Sequence, residues 1–229
     1  GSIMAYQDFT TYIEVDPNGH ISVAANVLTL TGLARNEDAY VYKDFGVDYF
    51  SGDFTHLTDA IYTSVTGTDV IVNWALSNVV DDMLAMQGAP NSALIVFRSE
   101  NSGINANDYI RESDGGTLYD SFYVDTLSPQ NRYYKIVRDE NVGAFGTIYL
   151  YIYSDSARTN LLSTLSIALH TSKKDYRYIY AAQSYNDGDG GTGTGRNENL
   201  DLNLAVGISY TQLERRTRGI GRGILTGGY

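Results

Sequence analysis

Tyrosines alternate with aliphatic residues at a period of two along this chain, and that pattern demands extended backbone. In Thr147–Tyr153 the odd positions are Tyr149, Tyr151 and Tyr153, and the even ones are Ile148, Leu150 and Ile152. In Asp175–Ala181 the even positions are Tyr176, Tyr178 and Tyr180, with Ile179 and Ala181 opposite. Side chains on a strand point to alternate faces. Each segment is therefore expected to carry an aliphatic core face and a row of phenols on the other. A phenol row suits a wet surface that still stacks on something flat, such as a sugar ring.

The rest of the chain follows the same period. Short strands are expected near 12–16, 20–31, 39–45, 53–65, 69–76, 93–99, 106–112, 116–124, 131–138, 146–153, 161–168, 175–185 and 196–206. Turn signals such as Pro17-Asn18-Gly19, Asp114-Gly115-Gly116 and Ser154–Asn160 separate them. Asp81–Gln87 alone reads as one or two helical turns, stopped by Gly88. A dozen short strands at this spacing read as an antiparallel β-sandwich or barrel. There is no internal repeat and no linker before residue 207, so one domain is expected over 6–206. Residues 1–5 read as a cloning scar and 207–229 as a Gly- and Arg-rich tail. Asn186–Asn199 reads as a long flexible loop.

Charge and composition narrow the partners. The formal charge is −11, with 20 Asp against 7 Glu and 23 Gly, a loop-and-turn balance rather than one of acidic helices. A body this acidic does not suit nucleic acid. Residues 209–229 instead set Arg215, Arg216, Arg218 and Arg222 against Glu214, a local +3 that suits docking onto an acidic surface of a larger assembly. No apolar run is long enough for a membrane helix, and no signal peptide is present. The absence of cysteine removes disulfides and thiolate metal sites and leaves the compartment open.

The order of these pieces resembles the concanavalin A-like, laminin G-like jelly roll over about residues 8–206. Its carriers are Gly52-Asp53-Phe54-Thr55-His56 leading a long strand and the hairpin Tyr133–Arg138/Thr147–Tyr153. Ala182–Asp187 ends a later strand, and Asn199-Leu200-Asp201-Leu202 follows. The wording around Ala39–Phe54 and Tyr176–Gly188 is most similar to modules of phage and environmental virus-like proteins. The resemblance implies an all-β, two-sheet antiparallel sandwich with one concave sheet that holds a glycan. Its floor is expected from strands at 52–65, 70–76, 93–98, 133–138 and 148–153. Lectins, glucanases, lyases and adhesion modules share such folds, so function has to come from the site.

Three candidate sites follow. The first is a stacking platform of Tyr149, Tyr151, Tyr153 and Tyr133, with Trp74 and Arg98 at its edges; the competing reading is a β-propensity surface with Trp74 in the core. The second is Asn186-Asp187-Gly188-Asp189, whose clustered oxygens suit Ca²⁺, against the reading of a solvated loop. The third is catalysis. Glu14-Val15-Asp16 has half of a glucanase carboxylate pattern, but a turn follows it; Arg98, His56 and a Tyr form the only lyase-like set. The expectation is a non-catalytic carbohydrate-binding or surface-adhesion module of a virion-associated or extracellular protein. The alternatives are a decoration module docking through its tail, or a polysaccharide-cleaving enzyme.

Overall fold

The computed structural model describes residues 5–101, 105–126, 130–170 and 175–204. Its fourteen strands are β1 (Ile13–Val15), β2 (Ile21–Val23), β3 (Val27–Ala34), β4 (Tyr40–Asp44), β5 (Phe54–Gly67), β6 (Asp69–Ser77), β7 (Ala93–Asn101), β8 (Ala106–Asp114), β9 (Thr117–Asp125), β10 (Gln130–Asp139), β11 (Thr147–Tyr153), β12 (Leu161–Ala168), β13 (Tyr178–Ser184) and β14 (Gly191–Asp201). One helix, α1 (Met83–Gly88), follows β6 and is capped by the Asp82 carboxylate, which accepts from Ala85 N at 2.9 Å. The strands form two seven-stranded sheets, ordered β1-β4-β13-β6-β7-β8-β9 (sheet A) and β12-β11-β10-β5-β14-β3-β2 (sheet B). All their pairings are antiparallel. The molecule is the expected all-β jelly-roll sandwich.

The period-two pattern explains the main core. Ile148, Leu150 and Ile152 of β11, Tyr134 and Ile136 of β10, and Ile95 and Phe97 of β7 meet between the sheets. A chain of hydrogen bonds also crosses this interior. Tyr62 Oη donates to Asn73 Oδ1, Asn73 Nδ2 to Ser99 Oγ (2.8 Å) and Ser99 Oγ to Asp108 Oδ1 (2.7 Å); Tyr134 Oη reaches Asp108 Oδ2 at 3.0 Å. It satisfies polar groups that burial would otherwise strand.

Sheet A is buried on both faces at its centre. Every residue of β6 is buried, because α1 lays Met83 and Met86 over Val72, Ala75, Leu94 and Val96 on the outer side. This second cluster corrects one expectation. The Tyr176/Tyr178/Tyr180 row is not an exposed platform: Tyr176 is in the main core, and Tyr180, fully buried, packs with the α1 methionines.

Two strand boundaries differ from the pattern reading. The expected strand 20–31 breaks at Ala24–Asn26 into β2 and β3. The expected loop 186–199 is mostly β14, because Gly193 and Gly195 sit where no side chain fits. A Cβ on Gly195 would lie 2.1 Å from Ile61 O, and one on Gly193 2.3 Å from Asp69 Oδ2. Glycine here marks close strand approach rather than flexibility.

Candidate functional site

The outer face of sheet B has the properties the phenol row requires. On β11, Tyr149 and Tyr151 are half-buried and point away from the core, their rings stacked with centroids 6.2 Å apart and 28° between planes. Register sets Lys135 of β10 opposite Tyr151 and Val137 opposite Tyr149. The Lys135 ammonium lies over the Tyr151 ring, 4.3 Å from its centroid, in a cation–π contact. On the other side, Ser166 and Thr164 of β12 stand in register with Tyr149 and Tyr151 and supply hydroxyls. The α1 helix lies on the opposite sheet and leaves this face open.

A cleft opens off one end of the row. It is a shallow, open depression of about 670 Å³ lined by Asp53, Thr55, Val137, Asp139, Asn141 and Asn203. Val137 and Thr55 are register partners, so the row Tyr149–Val137–Thr55 leads from the phenols into the cleft. The other end is closed. The Ser154–Asn160 loop turns back so that Arg158 pairs with Asp59 (2.6 Å), which shares a register row with Tyr133 and Tyr153. Tyr153 is accordingly 8% exposed, whereas Tyr133 is half-buried.

The remaining expected site residues lie elsewhere. Trp74 is fully buried, donating from Nε1 to His56 Nδ1 at 3.2 Å, so it is a core residue and out of reach of a ligand. His56 is also buried, in a nest with Phe50 and Phe54, and desolvation lowers its pKa to about 3. It is a neutral acceptor for the indole. Arg98 is on the outer face of sheet A, across the sandwich from Tyr149. Its guanidinium stacks 4.2 Å from Tyr109 and 5.0 Å from Tyr185 and pairs with Glu100 at 3.0 Å. Arg98 and His56 therefore point to different sides of sheet A, and the lyase-like set does not assemble. The strands expected to share one floor also divide, β5, β10 and β11 to sheet B and β6 and β7 to sheet A.

The carboxylates are structural as well. Asp16 Oδ2 accepts from Ile21 N at 2.7 Å and Glu14 is exposed, so that pair shapes a turn. In the 186–189 loop, Asp187 accepts from Arg35 Nε (2.8 Å) and Nη2 (2.5 Å), and the pair lowers the pKa of Asp187. Asp189 lies 3.5 Å from the same guanidinium, and Asn186 has φ of 55° to make the turn. Arg35 thus occupies the place a cation would need, and these residues do not fit Ca²⁺, which takes six to eight oxygens. Among the described residues no group of three acidic or imidazole side chains is arranged to hold a metal.

Sequence reasoning missed Lys135, Asp139 and the cleft. Lys135 and Val137 share the odd parity of Tyr133 on β10, so their face was readable; the lateral alignment with β11 and β5 was not.

No known family model matches the chain, and no curated protein matches it. Solved structures do. A functionally unknown protein from Saccharomyces cerevisiae aligns at TM-score 0.53 and 12% identity, over 88% of this chain and 100% of that one. The alginate lyase Aly36B aligns at 0.52 and 13%, over 89% and 93%. The exoplasmic/lumenal domain of VIP36 aligns at 0.49 and 10%, over 92% and 91%. At such identities the first two likenesses show a shared fold and nothing of activity.

Proposed function

We propose that this chain is a non-catalytic carbohydrate-binding module whose ligand lies on the outer face of sheet B. One observation carries the reading: two stacked, partly exposed phenols, contacted by Lys135 and flanked by hydroxyls, lead toward an open depression lined by Asp53, Asp139 and Asn141. Sugar rings offer flat C–H faces to Tyr149 and Tyr151 and hydroxyls to the cleft groups. A shallow site of this kind binds weakly, so presentation in several copies on a virion or cell-surface protein would raise avidity. The sequence wording supports that setting, and the +3 tail at 209–229, outside the described residues, is the proposed docking element. Titration of the purified chain against a panel of soluble polysaccharides tests the reading. Binding is expected to be unchanged by EDTA and to fall on Tyr151→Ala; no binding across the panel favours the assembly-module alternative.

A further inference from the structure

The four outer strands of the two sheets are not equally protected. An unpaired edge strand is a template for another strand, and proteins blunt such edges by shortness, bulges, lysine or proline. At one side of the sandwich, β1 and β2 have three residues each. At the other side, β12 carries a register shift against β11 at Ile152/Tyr153. The remaining edge, β9, has none of these devices. It runs nine residues (TLYDSFYVD) without Lys or Pro, pairs with β8 from Ala106↔Asp125 to Asp114↔Thr117 without a shift, and among the described residues pairs with no other strand. It also displays Leu118, Phe122 and Val124 at 44%, 57% and 49% exposure. These three apolar residues share one face of the edge.

We infer that β9 pairs antiparallel with β9 of a second copy, about a two-fold axis through Ser121, joining the two A sheets into one. The strand is self-complementary in this register. Leu118 falls opposite Val124 of the second copy, Tyr119 opposite Tyr123, Thr117 opposite Asp125, and Asp120 opposite Phe122. All nine residues pair, and no carboxylate faces another. Sliding the axis by one residue to Asp120 sets that aspartate against its own copy, which costs stability. Asp125, the other acid, is already neutralised by Arg132 at 2.5 Å. Such an interface is isologous and closed, so it stops at a dimer. The dimer also displays two phenol platforms, which is the multivalency a weak site requires.

The chain has no cysteine, which makes the register directly testable. Antiparallel partners have Cα atoms about 4.5 or 5.5 Å apart, within reach of a disulfide. In the full chain under a mild oxidant, Ser121→Cys is expected to form a covalent dimer at least about tenfold faster than Ser22→Cys, an exposed control on β2. Charge reversal is the second arm. Phe122→Asp places two new Asp–Asp oppositions across the axis and weakens the dimer up to about 25-fold by sedimentation, whereas Phe122→Lys faces Asp120 and retains it. Raising salt strengthens the native dimer, because each copy carries −11. Equal cross-linking rates at the two cysteines, or equal loss with Asp and Lys, overturns the inference. So does a monomer whose β9 amides resist hydrogen exchange, since the edge is then covered within one chain.

Discussion

Burial separates aromatic and acidic residues of the same type into different roles. Tyr151 stays partly exposed, while His56 is sealed beside Trp74 and is neutral at ordinary pH. Burial also raises the pKa of Asp69 to about 7 and of Asp108 to about 6, desolvation being the main cause in both. These shifts act on stability with opposite signs. For His56, folded pKa about 3 against 6.5, stability is full above pH 6.5 and is lost as pH falls toward 3. For the two aspartates, stability is full below their unfolded pKa near 3.9 and is lost as pH rises through 6 and 7. Melting curves are therefore expected to peak in mildly acidic solution. Asp69→Asn should raise the melting temperature more at pH 8 than at pH 4, and His56→Gln should flatten the acid limb alone. An equal effect of Asp69→Asn at both pH values would contradict the assignment.

Elements show where local pattern suffices and where it fails. The face of each tyrosine on β11 was legible because parity decides it. The fate of Tyr180 was not, since Met86 of α1 packs on it from about a hundred residues away in the chain. Trp74 and Arg98 were misplaced for a related reason: sequence shows that two strands are long, not which sheet each joins. The glycines of β14 read as a loop because their purpose is contact with β5 and β6, which is tertiary information. That purpose predicts a cost. Gly195→Ala drives its Cβ into the backbone of Ile61 and Tyr62, and is expected to destabilise by about 3 kcal/mol in urea titration. Gly188, exposed and with open space around it, shows no such contact, although its φ of 89° still disfavours alanine. A smaller loss at Gly195 than at Gly188 would refute the close-approach account.

The whole molecule is a sandwich with two unlike outer faces. Sheet A is covered by α1 and by its own aromatic and arginine contacts, including Arg98 on Tyr109. Sheet B presents the phenols and the cleft uncovered. The fold class was legible in the sequence because alternation and turn spacing are local signals repeated many times. The ligand face was only half legible: Tyr149 and Tyr151 were found, but the depression depends on β5 and β10 meeting in register beside the segment that follows β14. Solution binding of glycans to the native chain and to Tyr151→Ala, with Thr29→Ala on an exposed β3 position as control, tests the proposed function most directly. The account predicts that Tyr151→Ala weakens binding roughly ten- to thirty-fold, about 1–2 kcal/mol of lost stacking, while Thr29→Ala leaves it unchanged. Binding that survives Tyr151→Ala intact contradicts it and moves the ligand off sheet B.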